Sequence, residues 1–97
     1  MLRELSLATI REARRRITPY VLRTPVLYQR PRGDCELLLK AESLQSTGAF
    51  KLRGAFNLML TLPKSCAGVV AHSSGNHAQA VARAARVLRM RAVIVMP

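Results

Sequence analysis

Stretches with apolar residues at helical spacing alternate along the chain with short, continuous apolar runs. The first pattern predicts a helix that begins after the N-cap residue Ser6 and is stopped by Thr18-Pro19. A second helix is predicted over 50–62, capped by Ser46 or Thr47, and a third begins at Asn76 or His77. The expected apolar face of the second helix consists of Leu52, Ala55, Phe56, Met59 and Leu60. That of the third consists of Ala78, Val81, Ala82 and Ala85.

Pro25 predicts an extended segment over 24–28, and a turn is predicted at 31–34. The short apolar runs predict strands over 36–41, 68–72 and 92–96. Because the last two strands flank a helix, they are expected to form a parallel βαβ unit. The sequence therefore predicts an α/β fold with an open parallel sheet and flanking helices. The last residue, Pro97, directly follows a strand, so the sheet is expected to be incomplete within these 97 residues.

Composition narrows the classes of function. The formal charge of +11 at pH 7 comes from thirteen arginines and three lysines against five acidic residues. Nucleic-acid binding is disfavoured, because the basic residues are scattered and no aromatic stacking surface accompanies them. The cluster Arg14-Arg15-Arg16 is interpreted as a solvated helix face. Without a membrane-spanning run or a signal peptide, a cytoplasmic protein is expected, with Cys35 and Cys66 as reduced core residues and no metal site.

Two loops could carry chemistry. Lys51 begins the second predicted helix after a flexible turn, and a lysine whose pKa is lowered can act as an amine nucleophile. The second loop, Ser73-Ser74-Gly75-Asn76-His77, lies between a parallel strand and the start of a helix. Its backbone N–H groups and the helix dipole favour an anion there, such as a carboxylate. An ordinary helix start with solvated serines would fit the loop equally well.

Together, these stretches resemble the beginning of the fold-type II enzymes that depend on pyridoxal 5'-phosphate (PLP). The match is carried by Lys40-Ala41-Glu42, by the segment from Thr47 to Ala55, by the segment from His72 to Ala80, and by Val93-Ile94-Val95-Met96-Pro97. Within that family the chain is most similar to the threonine dehydratase and serine racemase group, since His77 and Phe50 differ from the pattern of cysteine synthases. The resemblance implies the N-terminal portion of such an enzyme. Residues 1–50 would begin its large domain and residues 51–97 its small domain.

The resemblance also implies roles for individual residues. Lys51 would form the Schiff base with PLP and move protons at the substrate Cα, with Phe50 near the cofactor ring. Asn76 would hydrogen-bond the cofactor's 3-hydroxyl. Ser73, Asn76 and His77 would hold the substrate carboxylate. Ser74 matches the position that supplies the second proton donor in racemases.

The chain departs from the family's pattern at several places. Ala49 stands where a serine is usual, and Arg89 stands near a helix-ending glycine, which is expected to cost about 1 kcal/mol in a left-handed cap. The segment between Lys51 and Ser73 is several residues short. The glycines are spread over the chain as Gly33, Gly48, Gly54, Gly68 and Gly75, so none of them forms the glycine-rich loop that holds the PLP phosphate.

The function implied is a PLP-dependent lyase that deaminates threonine or serine to a 2-oxo acid and ammonia. The isolated chain is expected to be inactive, because half of the site is missing from it. A serine racemase-type enzyme and a non-catalytic remnant are the alternatives, and a basic nucleic-acid-binding module is a weaker one. No membrane partner is expected. The chain could form homo-oligomers or associate with a full-length homologue.

Overall fold

A computed structural model describes residues 5–97 of the chain. In chain order these residues form helix α1 (Leu7–Ile17), strands β1 (Val26–Arg32) and β2 (Cys35–Lys40), a 3-10 turn (Glu42–Leu44), helix α2 (Lys51–Met59), strand β3 (Val69–His72), helix α3 (Asn76–Leu88) and strand β4 (Ala92–Val95). Each predicted helix and strand is present, and the α/β class is confirmed.

The strands form two separate pairs. β1 and β2 make an antiparallel hairpin, whereas β3 and β4 pair in parallel from Val69 opposite Ala92 to His72 opposite Val95. The predicted parallel βαβ unit is therefore confirmed. β1 extends through Pro31, which the sequence placed in a turn, and its register is irregular between Gln29 and Arg32. A proline has no N–H to donate to the neighbouring strand, so it fits such an irregular position.

Helix α1 begins with the predicted cap. The Ser6 hydroxyl accepts a hydrogen bond from the Thr9 N–H at 3.2 Å, and the Thr9 hydroxyl accepts one from the Ser6 N–H at 3.0 Å. At the other end, Arg14 and Arg15 are exposed as predicted. Arg16 is half-buried, and its guanidinium donates to Asn57 of α2 and, at 3.0 Å, to Glu12. It therefore connects α1 to α2.

The hydrophobic core lies where α2, α3 and the parallel strands meet. Leu52 and Phe56 of α2 are almost fully buried, and the Tyr20 ring stacks on Phe56 with the centroids 5.0 Å apart. On α3 the buried residues are Ala78, Ala80, Val81, Ala84 and Ala85. Ala82, predicted to face the core, is exposed. The prediction missed Ala80 and Ala84 because α3 packs against both α2 and the sheet, which covers a wider face of the helix.

Two further predictions are corrected. α2 ends at Met59 rather than Leu62, since the Thr61 N–H and hydroxyl both bond to the Leu58 carbonyl and tighten the chain into a turn. Neither free cysteine lies in the core: Cys35 is exposed on the hairpin and Cys66 is half-buried, where its thiol donates to the Gly68 carbonyl. Across residues 5–97, no helix has the length and apolar character to cross a membrane. The division of the chain at residue 50 stays a prediction.

Candidate cofactor site

Lys51 is the first residue of α2 and follows a tight turn. Gly48 has φ +73°, a left-handed conformation that glycine adopts without strain, and its N–H bonds to the Gln45 carbonyl at 2.7 Å. The N-cap position is Phe50, with no side-chain cap, so the predicted cap by Ser46 or Thr47 is wrong. Within residues 5–97 the Thr47 hydroxyl is buried without a hydrogen-bond partner. The first turn of α2 is held without a cap, and its Leu52 is buried in the core.

A cleft of about 470 Å³ lies beside this first turn, and we call it the lysine cleft. Lys51 and Phe50 border it from the start of α2, and His77 borders it from the start of α3. Its apolar walls comprise Ala55, Leu58, Met59, Leu62, Val69, Val70, Ala71 and Val81. The Lys51 Nζ lies 5.2 Å from the centroid of the Phe50 ring, within the range of a cation–π contact. The cleft thus combines one amine, one imidazole and an apolar surface.

The loop over 73–77 joins β3 to α3 at the edge of this cleft. The Ser73 N–H donates to the Val95 carbonyl at 3.0 Å, which continues the parallel ladder by one bond. The Gly75 N–H donates to the Ser73 hydroxyl at 3.2 Å. Gly75 is the N-cap of α3 and provides no capping side chain, so N–H groups of the first turn remain available at the positive end of the helix dipole. This end of α3 can hold an anion.

The structure thus brings part of the predicted site together. Phe50, Lys51 and His77 border one cleft. Ser73, Ser74 and Asn76 lie in the adjoining loop rather than on the walls of the cleft; Ser73 is half-buried, and the other two side chains are exposed. The functional roles given to these six residues stay predictions. In the part of the chain that the structure describes, no group of three or more histidine, cysteine and acidic residues is arranged to bind a metal.

On the other side of α2 lies a set of polar contacts that the sequence analysis did not assign. We call it the Glu42 network, and it comprises Leu22, Thr24, Glu42, Gln45 and Arg53. The Arg53 guanidinium donates from Nε to Glu42 Oε1 and from Nη2 to the Leu22 carbonyl at 3.1 Å. The hydrogen bond from Arg53 holds the pKa of the Glu42 carboxyl below its usual value, with smaller contributions from Gln45 and Thr24.

Gln45 and Thr24 are the two buried polar residues of this network. Gln45 makes the larger number of hydrogen bonds. Its Oε1 accepts from the Leu22 N–H at 2.9 Å and its Nε2 donates to the Leu22 carbonyl at 3.0 Å, so one side chain satisfies both backbone groups of that residue. Glu42 and Arg53 both belong to the segments that carry the family resemblance. No spacing rule, however, connects them to Leu22, which lies 31 residues before Arg53.

Comparison with known proteins identifies the family in which this arrangement occurs. Residues 17–97 match the family described as pyridoxal-phosphate dependent enzyme. The chain is 47% identical over 91 residues to an L-threo-3-hydroxyaspartate ammonia-lyase from Pseudomonas sp, in an alignment that covers 89% of this chain and 28% of the relative. It is 47% identical over 94 residues to a serine racemase from Arabidopsis thaliana, covering 92% of this chain and 28% of that protein.

The solved structure of a threonine deaminase from T.th. superimposes with a TM-score of 0.84 at 51% identity, covering 96% of this chain and 31% of that one. The α/β arrangement described above is therefore that of the fold-type II enzymes, with the sheet incomplete. The chain spans about three-tenths of the length of these proteins.

The residues of this chain suit the aldehyde and the ring of PLP. When bound, PLP supplies an aldehyde that reacts with an amine and a ring that withdraws electrons from the substrate. The amine of Lys51 borders a cleft whose apolar walls suit the ring, and the uncapped start of α3 suits an anionic group. The phosphate has no matching element here, because the five glycines of the sequence are not clustered into a loop.

Proposed function

We propose, from the premise that this chain belongs to the pyridoxal-phosphate dependent enzyme family, that its residues form one side of the site of an ammonia-lyase for threonine or serine. One observation carries the proposal: Lys51 borders the same apolar cleft as His77, at the uncapped start of α3. The proposed reaction requires a nucleophilic amine that binds the cofactor and a helix end that binds the substrate carboxylate. The net reaction converts the β-hydroxy amino acid to a 2-oxo acid and ammonia.

In this proposal, each side chain of the site has a defined task. Lys51 holds the cofactor and moves the proton at the substrate Cα, and Phe50 packs beside the cofactor ring. Asn76 donates to the cofactor's 3-hydroxyl. Ser73, Asn76 and His77, with the N–H groups of the first turn of α3, hold the substrate carboxylate.

Racemisation of serine is the second candidate. It is favoured by the exposed side chain of Ser74, which can offer a proton from a position other than that of Lys51, and by the similarity to serine racemases. A racemase needs a proton donor on each side of the Cα atom, whereas a lyase needs only one. The choice between the two activities, and between threonine and serine, would depend on further residues around the substrate. Association with a second copy or with a longer homologue would supply such residues.

Covalent labelling tests the proposal on the 97-residue protein itself. PLP is added, borohydride reduces any linkage formed, and peptide mass spectrometry identifies the modified lysine. We expect Lys51 to be labelled in preference to Lys64, which lies outside the lysine cleft, and to Lys40, whose amine donates to the Thr24 carbonyl. In the Lys51→Arg variant the preference should vanish. Equal labelling of all three lysines in the wild-type protein would contradict the proposal.

The same protein should not convert threonine or serine by itself, because no loop within its 97 residues matches the PLP phosphate. We expect neither a stable visible absorbance of bound PLP nor formation of 2-oxo acid. If both were observed and both disappeared in Lys51→Ala, the expectation of inactivity would be wrong, and the assignment of Lys51 would be strengthened.

A further inference from the structure

The first turn of α2 has no side-chain cap, and Leu52 attaches it to the core. A polar side chain of the same turn provides a second anchor. Capping usually contributes about 1 kcal/mol and fixes where a helix begins. Here the Thr47 hydroxyl, which could have served, has no hydrogen-bond partner among residues 5–97. The charged side chain nearest to Lys51 in the sequence is Arg53, two residues later in the same turn.

Arg53 provides this anchor on the side of α2 away from the lysine cleft. Two residues along an α-helix are separated by about 200° of rotation, so their side chains leave on opposite sides. Lys51 borders the lysine cleft, whereas Arg53 borders a different cleft together with Leu22 and Lys40. The hydrogen bonds of Arg53 therefore restrain the rotation and translation of the turn without occupying the space in front of the amine.

The partner of Arg53 is itself held from several directions. Glu42 accepts from Thr24 Oγ1 at 3.3 Å and from Gln45 Nε2 at 3.5 Å, in addition to Arg53. Its side chain is only 18% exposed and that of Arg53 30% exposed, so the ion pair is screened by solvent less than a surface pair. The hydrogen bond from Arg53 lowers the pKa of Glu42, so its carboxyl, ionised at neutral pH like any glutamate, stays ionised at more acidic pH as well.

We propose that Glu42, acting through Arg53, is a positioning residue for the amine of Lys51. The inference rests on the proposed function, in which Lys51 is the reactive lysine, and adds the group that places it. Leu22 closes the network, because Arg53 and Gln45 both bond to its carbonyl, which ties the segment before β1 to the start of α2. Neutralising the carboxyl should let the first turn of α2 shift while the core residues of the helix stay packed.

Two variants with the same chemical change test the proposal. Glu42→Gln removes the charge and keeps the size, but it replaces one of the two acceptor oxygens with an NH2 donor. Glu12→Gln does the same to a carboxylate that pairs with Arg16 on α1, 3.0 Å away, and serves as the matched control. Circular dichroism identifies a temperature at which each variant is folded, and all measurements are made there.

The first readout is independent of PLP. Reductive methylation with ¹³C-formaldehyde keeps the charge of the lysines and gives resolved NMR signals for the three side chains. The Lys51 methyl signal should be displaced by the ring current of Phe50, 5.2 Å from the unmodified amine. In Glu42→Gln we expect this signal to move toward that of Lys64, and in Glu12→Gln to stay in place. A Lys51 signal unchanged in folded Glu42→Gln would overturn the proposal.

The second readout is the ratio of PLP labelling at Lys51 to that at Lys64. A displaced amine loses its alignment with the cleft, so we expect this ratio to fall about five- to tenfold in Glu42→Gln and to be unchanged in Glu12→Gln. If the network only stabilised the fold, Glu42→Gln would lower the melting temperature and leave the labelling ratio unchanged. If the wild-type protein shows no preference for Lys51, the proposed function fails. A wild-type preference that Glu42→Gln retains refutes the positioning role alone.

Should Glu42→Gln fail to fold, Arg53→Lys replaces it. Lysine keeps the positive charge of residue 53 but cannot donate to Glu42 and to the Leu22 carbonyl with the fork geometry of a guanidinium. We expect the Lys51 signal to move in the same direction but less far, with a smaller fall in the labelling ratio. Wild-type values of both in Arg53→Lys would refute the role of the Arg53 contacts.

Discussion

The segment that carries Lys51 and the loop over 73–77 face the same region but are held in different ways. Around Lys51, side chains make the contacts: Gln45 bonds to both backbone groups of Leu22, and Arg53 bonds to Glu42 and to Leu22. In the loop, the Ser73 N–H continues the sheet ladder to Val95, and the Gly75 N–H bonds to the Ser73 hydroxyl. The side chains of Ser74, Asn76 and His77 are exposed.

This difference matches the chemistry proposed for each part. A reactive amine must be placed within a fraction of an ångström, and a network of partly buried hydrogen bonds can do that. A loop that binds an anion needs free donors, and donors already bonded within the protein could not serve. We therefore expect the lysine segment to be sensitive to changes of polar side chains, and the loop to be sensitive to changes in the strands beneath it.

Gly68→Ala should give the largest loss of stability and tests the dependence of the loop on its strands. A Cβ at residue 68 would lie 2.6 Å from the Arg91 carbonyl oxygen, closer than a real contact allows, so β3 and β4 must shift. We expect a loss of about 2–3 kcal/mol in the free energy of unfolding, measured with urea.

Gly54→Ala is the control for this change. A Cβ there meets nothing within 4 Å, and alanine favours a helix, so we expect a gain of up to about 1 kcal/mol. Equal effects of the two substitutions would show that the sheet does not constrain Gly68.

Gln45→Ala and Ser73→Ala compare the two regions directly. Gln45 is only 4% exposed, and its removal leaves the N–H and carbonyl of Leu22 without that partner, which should cost about 1–3 kcal/mol. Ser73→Ala removes one bond to the Gly75 N–H in an exposed setting and should cost less than about 0.5 kcal/mol. Urea unfolding of both variants measures the difference, and similar costs would remove the distinction between the regions.

Arg89→Gly should raise stability by a small amount. Arg89 ends α3 with φ 54° and ψ 38°, a left-handed conformation that costs a residue with a Cβ about 1 kcal/mol and costs glycine little. We expect a gain of several tenths of a kcal/mol up to about 1 kcal/mol in thermal unfolding.

Arg86→Gly, in the last turn of the same helix, is the control and should lower stability by about 1 kcal/mol. A loss in Arg89→Gly would show that the arginine side chain makes a contact that outweighs the strain of its backbone. The loop at the other end of α3 should be unaffected by either change.

Much of the local structure was predictable from neighbouring residues. The start of α1 follows from Ser6, the apolar face of α2 follows from Leu52, Ala55 and Phe56, and the parallel pairing of β3 with β4 follows from a helix between two apolar runs. The left-handed end of α3 was expected from comparison with the family's pattern at Arg89. The helix start and the apolar helix face depend on residues close in sequence, whose geometry is set by the backbone itself. The parallel pairing joins distant residues, Val69 with Ala92, and was predictable because a strand–helix–strand connection favours that arrangement.

The sequence by itself determined that a lysine begins a helix, that a polar loop begins another, and that both resemble the PLP-dependent family. Tertiary structure decided which of these residues share a cleft, and it decided that the first turn of α2 is held by Glu42 and Arg53 instead of a cap from Thr47. It also decided the burial of Ala80 and Ala84 and the exposure of Cys35. The physical reason is that these contacts join segments distant in sequence, and their packing depends on how whole helices and strands approach one another.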